Sequence, residues 1–216
     1  RDLHRVDRRQ RQMSITDRLN SSNSCAAAAQ YYYAHIAYKN KDFISSLEWF
    51  LKLEGKTKFS DIIPYYIAQI YYQKKEYKKL ILFLESKVDN IITSRTTEVN
   101  RLLAESYYHL ENYDRAIKYF NLYFSNNNSF AKQEYYMLAF SYFKSLDNVN
   151  AIKFFEKSLG QNDTLDQISS YYLGASYLRI NNKKYSLNAF KKSSQFNINP
   201  SLKDDALFNY AKLSYE

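Results

Sequence analysis

The stretch LLAESYYHLENYDRAIKYF, Leu102–Phe120, decides the fold. Leu103, Ala104 and Tyr107 share one face of a predicted first helix, and Tyr113, Ala116, Ile117 and Phe120 share one face of a second. Only the polar turn Glu111-Asn112 separates them, so the two helices must pack antiparallel. The small residues Ala104 and Ala116 mark where the backbones come close.

The same layout recurs along the chain. Equivalents of Ala104 are Ala34, Ala68, Ala139, Gly174 and Ala211, at steps of 34, 36, 35, 35 and 37 residues. Leu103 corresponds to Tyr33, Ile67, Leu138, Leu173 and Tyr210, and Tyr107 to Ala37, Tyr71, Tyr142, Tyr177 and Ser214. In the second helix, Ala116 corresponds to Ser46, Leu80, Ala151 and Ser186, and Phe120 to Phe50, Leu84, Phe155 and Phe190. Several independent columns therefore keep one period.

A helical hairpin of about 34 residues with this small/aromatic pattern resembles the tetratricopeptide repeat, or TPR. The resemblance covers roughly Ala27 to the end, and its most specific segments are the opening stretch and YYLGASYL (Tyr171–Leu178), with its Leu173-Gly174 pair. It departs from the family pattern in three ways. The only Trp, Trp49, sits in a second helix, and a repeat-ending Pro is clear only at Pro200. Asn148 and Lys183 stand where an aromatic usually opens the second helix. The resemblance implies an all-α fold, a right-handed α-α superhelix (TPR solenoid) of five helical hairpins plus one extra helix. The repeats fall at about 27–60, 61–96, 97–131, 132–166 and 167–203, with a partial one at 204–216 within a 26–216 solenoid.

Composition agrees with such a chain. Hydrophobic residues make up 45%, with 23 Tyr and 14 Phe to fill a ribbon-like core shared between neighbouring repeats. Three Gly, two Pro and no bounded alternating runs argue against β structure. No apolar run approaches the ~18 residues of a membrane helix. The formal charge is +9, but Lys74-Lys75, Lys78-Lys79, Lys183-Lys184 and Lys191-Lys192 alternate with acids, the pattern of a solvated face. Residues 1–25 carry six of the ten Arg, no Lys and no helical period, and read as a non-repeat leader, either an artificial addition or a natural disordered arm. The formal glycosylation triplet Asn20-Ser21-Ser22 falls within it. Cap signals are expected at Ser60-Asp61 ahead of Pro64, and at Thr164-Leu165-Asp166-Gln167 as a capping box. Asp204-Asp205 is placed at a helix start, where it would complement the dipole. The last helix lacks a partner, so the chain reads as a piece of a longer protein with an end that invites self-association.

Nothing reads as an active site. His4, His35 and His109 are far apart, the single Cys25 lies in the leader, and no spacing suits a metal. Gly174 is a packing position, since Gly-rich phosphate loops are absent. No enzyme activity and no cofactor are expected.

In a TPR stack the first helices line a concave face, and the alignment assigns residues to it. Repeat one supplies Tyr31, His35 and Tyr38, and repeat two Tyr65, Gln69 and Tyr72. Repeat three supplies Arg101, Glu105 and Tyr108, and repeat four Tyr136, Phe140 and Lys144. Repeat five adds Tyr171 and Arg179. A Tyr-rich strip with sparse charge suits a protein or peptide partner. Members that hold a chaperone's C-terminal carboxylate use Lys and Asn where this chain has Tyr31 and His35, so that activity is not implied. Helical-repeat nucleic-acid binding is the rival reading, disfavoured by only three inner-face cations, Arg101, Lys144 and Arg179. A regulatory arm of a larger enzyme is a third. The chain also looks like large multi-repeat TPR proteins of Gram-negative envelopes, which implies a periplasmic or outer-membrane-associated location, with the cytoplasm as alternative.

Overall fold

The structure is a computed structural model, and it describes residues 24–55, 59–87, 95–125 and 130–215. The expected leader, apart from Ser24 and Cys25 at a helix start, lies outside the described residues, as do Asn20-Ser21-Ser22 and His4. Eleven helices and no strands occur among the described residues. They are α1 Ser24–Lys39, α2 Phe43–Leu53, α3 Ile63–Gln73, α4 Tyr77–Glu85, α5 Thr96–His109 and α6 Tyr113–Ser125. There follow α7 Lys132–Lys144, α8 Asn148–Lys157, α9 Thr164–Arg179, α10 Lys183–Ser194 and α11 Pro200–Tyr215. The chain forms two compact units that divide between Val99 and Asn100.

The aligned columns are the core. Ala34, Ala68, Ala104 and Ala139 are fully enclosed, as are Phe50, Leu84, Phe120 and Phe155. A Cβ on Gly174 would stand 2.9 Å from the Phe190 ring, so the small residue leaves room for the second helix's aromatic. Where Ser replaces Ala in the second helix, its hydroxyl finds a carbonyl. Ser46 Oγ donates to Ala34 O at 2.9 Å, and Ser186 Oγ donates to Gly174 O at 2.8 Å. Each donation joins the two helices of one hairpin at their closest point.

One turn joins the helices of every hairpin. Lys41, Lys75, Glu111, Leu146 and Asn181 all have positive φ, from 58° to 64°, and each lies seven residues beyond the small residue of its repeat. The amide of each following residue reaches back to close the helix end, as Asp42 N to Ala37 O at 2.9 Å and Asn182 N to Tyr177 O at 2.9 Å. That following residue then caps the second helix. Asp42, Asn112, Asp147 and Asn182 accept from Ser45, Arg115, Asn150 and Tyr185 amides. Glu76 does not cap; its carboxylate pairs with Lys74 and Lys79, each at 2.9 Å.

Two expected caps and one expected dipole partner are corrected. Asp163, not Thr164, caps α9, accepting from Asp166 N at 2.9 Å, and Gln167 turns instead to Asn199. The aspartate one residue earlier is the stronger acceptor, which moves the helix start by one. Ile62 occupies the N-cap of α3 with no side-chain bond, so Ser60-Asp61 does not cap it; Pro64 takes the first turn, where no amide is needed. Asp204-Asp205 lies past the first turn of α11, whose start Asn199 caps by accepting from Leu202 N at 3.2 Å.

Candidate functional site

In the unit of residues 24–99 the expected strip converges on a ring that the alignment did not assign to it. Tyr66 contacts His35 at 5.3 Å, Tyr38 at 5.4 Å and Tyr65 at 5.4 Å between centroids, and lies parallel to buried Phe50 at 5.2 Å. The Tyr31 hydroxyl donates to Tyr66, and burial pushes the Tyr31 hydroxyl up to about 12. On its other face Tyr31 stacks on Phe59 at 4.2 Å. Tyr65 accepts from Gln69 Nε2 at 3.1 Å, and the Arg95 guanidinium lies 5.3 Å over its ring. Arg95 also meets Glu98 at 2.9 Å, so its charge is already matched. Tyr72 lies edge-on to Tyr77 at 5.8 Å.

In the unit of residues 100–216 the strip is organised by Phe140. Tyr108 and Tyr113 each approach it at 6.0 Å, Tyr136 at 5.9 Å and Tyr172 at 4.9 Å. The Tyr136 hydroxyl donates to Tyr108. Burial pushes the Tyr108 hydroxyl up to about 12, and burial together with the neighbouring Tyr108 pushes Tyr136 well above the ordinary tyrosine range. Both stay neutral donors and acceptors at any physiological pH. Arg101 pairs with buried Glu105 at 2.7 Å; burial opposes the guanidinium charge, but Glu105 more than offsets it. Tyr171 packs against Phe190 at 5.6 Å. Two cations behave differently. Lys144 Nζ sits 5.5 Å over Phe140, and the Arg179 guanidinium 3.8 Å over Phe143, where it also donates to Phe143 O at 2.9 Å.

Most of the assigned residues are therefore half-buried and touch one another, rather than standing as separate exposed rings. Tyr66 and Tyr172 were missed, yet they share a column, two residues before the small one, and both lie parallel to the preceding hairpin's second-helix Phe. Aromatics repeated at that column were the available signal. His35 stacks on Tyr31 at 6.1 Å, and His109 is exposed beside Tyr108. No group of three His, Cys, Asp or Glu that could hold a metal ion occurs among the described residues, and no described helix is long and apolar enough to cross a membrane.

No protein-family model matches the sequence, and neither does any curated protein. Solved structures do match. The chain is similar to YrrB, described as a TPR protein with an unusual peptide-binding site, at TM-score 0.72 and 14% identity, over 90% of this chain and 97% of that one. It is also similar to MamA, at TM-score 0.63 and 15% identity over 77% of this chain and 89% of that one. A MamA AMB-1 structure gives TM-score 0.66 and 16% identity over 83% and 97%. At these identities the likeness shows the fold, and that fold is the TPR solenoid of paired helices.

Proposed function

We propose that the chain is a non-enzymatic scaffold that binds a partner protein or peptide along the first-helix faces of its hairpins. The observation that carries this reading is the clustering of half-buried tyrosines on those faces, hydroxyls neutral and rings held by one another. Such a surface is pre-organised, so little side-chain entropy is lost when a segment docks on it. It offers both apolar area and hydrogen-bonding tips. The peptide-binding site of YrrB, a protein of the same fold, supports the reading. The resemblance to envelope TPR proteins extends it to a partner belonging to an assembly at the outer membrane.

The test is affinity capture from the source cells with the full chain beside its Tyr65→Ala/Tyr136→Ala variant and a Leu82→Ala control on an exposed second-helix position. The expected result is a protein retained by the parent and the control and lost by the double variant, with helicity equal by circular dichroism. Equal retention by all three would move binding off the first-helix faces.

A further inference from the structure

The two units differ in one respect that bears on what each can recognise. In the 24–99 unit Arg95 lies over strip residue Tyr65 and is matched by Glu98. In the 100–216 unit Lys144 lies over strip residue Phe140 and Arg179 over buried Phe143, and neither makes an ion pair among the described residues. They occupy the same register position, five residues past Ala139 and Gly174, so each closes a first helix. A cation there complements the helix dipole, which accounts for its presence but leaves its outer face unmatched.

The two are joined by a continuous set of rings. Lys144 lies over Phe140, Phe140 contacts Tyr172 at 4.9 Å, Tyr172 contacts Phe143 at 5.1 Å, and Arg179 lies over Phe143 at 3.8 Å. Arg179 is held in place by the Phe143 carbonyl, with the rest of its fork unassigned. The acids nearby are committed or lie to one side. Glu105 is paired with Arg101, Asp114 accepts from Ser145 Oγ at 2.8 Å, and Glu156 accepts from Tyr177 at 2.7 Å. Glu111 and Asp114 line one cavity with Tyr113 and Lys144 but form no ion pair with the lysine among the described residues, and Asp205 sits beside Tyr171.

We propose that the 100–216 unit receives an acidic, aromatic-bearing polypeptide segment. Carboxylates of the segment meet Lys144 and Arg179, and its apolar side chains lie over the Phe140–Tyr172 pair. The proposal rests on the scaffold reading above and adds the chemistry of the partner. Charge complementarity selects this occupant, because an unmatched cation on a ring is satisfied by an anion and not by another ring. Nucleic acid is disfavoured because two cation positions make no phosphate track.

The test uses fluorescence anisotropy on the full chain with three labelled probes: an eight-residue peptide alternating Asp and Phe, its Asn–Phe counterpart, and a twelve-nucleotide oligouridine. The expected result is Asp–Phe binding about tenfold tighter than Asn–Phe, the size that two rim ion pairs supply. Lys144→Gln/Arg179→Gln removes that preference while leaving the Asn–Phe affinity in place. Lys39→Gln, at the same register position in the other unit, leaves the preference unchanged. Equal affinity for both peptides overturns the acidic partner but spares the scaffold. An equal loss in Lys39→Gln overturns it too, by showing diffuse electrostatics. Binding of neither peptide overturns the acidic partner and leaves the scaffold to the capture experiment, and salt-sensitive oligouridine binding tighter than Asp–Phe overturns both in favour of nucleic acid.

Discussion

Consecutive hairpins share one ring contact in the two units and differ in what is added to it. Between the first and second hairpins the join is made of rings: Phe59 stacks on Tyr31, and Tyr66 lies on Phe50. Between the fourth and fifth the same ring contact recurs, Tyr172 on Phe155, and buried polar groups are added to it. Asp166, fully enclosed, accepts from the amides of Gly160, Gln161 and Asn162 at 2.6 to 3.1 Å and from Lys132 Nζ at 2.5 Å. One residue on, buried Gln167 accepts from Asn199 N at 2.8 Å and donates to Asn199 O at 2.9 Å, tying α9 to the start of α11. The ring contact is common to both joins, and the second adds a network of buried hydrogen bonds to it. Beside that second join stand half-buried Phe140 and Tyr172 with two exposed cations, where the more specific recognition is assigned.

The strongest way to break this comparison is Asp166→Asn. It removes a buried charge that faces Lys132 and three amides, and the expected cost is about 3–5 kcal/mol. Chemical denaturation would read it as a large fall in midpoint, and hydrogen exchange would show Gly160–Asn162 opening first. The pH sign follows from the same groups. Burial opposes ionisation of Asp166, but Lys132 and the amides hold its carboxyl below the usual range, and Lys132 likewise lowers Asp163. Their stabilisation is present above the unfolded aspartate value and is lost as pH falls through the lower folded one.

Tyr66→Ala addresses the other unit. A half-buried ring shared by five aromatics should cost about 2 kcal/mol, and Tyr66→Phe, which keeps the stacking, about 1 kcal/mol or less. If Tyr66→Phe cost as much as Tyr66→Ala, ring cohesion would not be what holds that join.

At alkaline pH the effect is smaller per group and shared. Tyr31 and Tyr108, both raised to about 12, stay protonated in the folded chain after unfolded tyrosines have ionised. Their contribution is complete below pH 10 and disappears as pH rises toward 12. Tyrosinate absorbance should therefore rise in two phases, the second coinciding with loss of helical circular dichroism. A single phase near the ordinary tyrosine value, with helicity intact, would show that the strip tyrosines are not packed.

The smallest expected effect is a gain. Leu146 holds φ 64°, a region unfavourable to a branched side chain, and its side chain is exposed. Leu146→Gly should stabilise by about 1 kcal/mol at most, read as a small rise in melting temperature.

Much of this architecture was legible in the residues. The column of Ala34, Ala68, Ala104, Ala139 and Gly174 located each hairpin's crossing, because only small residues permit that approach. Glu111-Asn112 marked one turn, and the other four share its backbone despite having no Gly, because Lys41, Lys75, Leu146 and Asn181 adopt the left-handed conformation all the same. The caps were less legible, since Ser, Thr and Asp one residue apart compete for the same amides, and only the folded loop decided for Asp163 over Thr164.

By itself, then, the amino-acid order determined a period, a set of buried columns and the faces that two helices must share, because these follow from spacing along one chain. Which tyrosines are tied up in packing was decided only in three dimensions. Tyr66 meets Phe50, and Tyr172 meets Phe155, across a hairpin boundary that no local pattern describes. Charge divides in the same way. Arg95 and Arg101 meet Glu98 and Glu105 three and four residues on, and Lys144 lies over Phe140 four residues before it, all spacings along one chain. By contrast, tertiary placement sets Arg179 over Phe143.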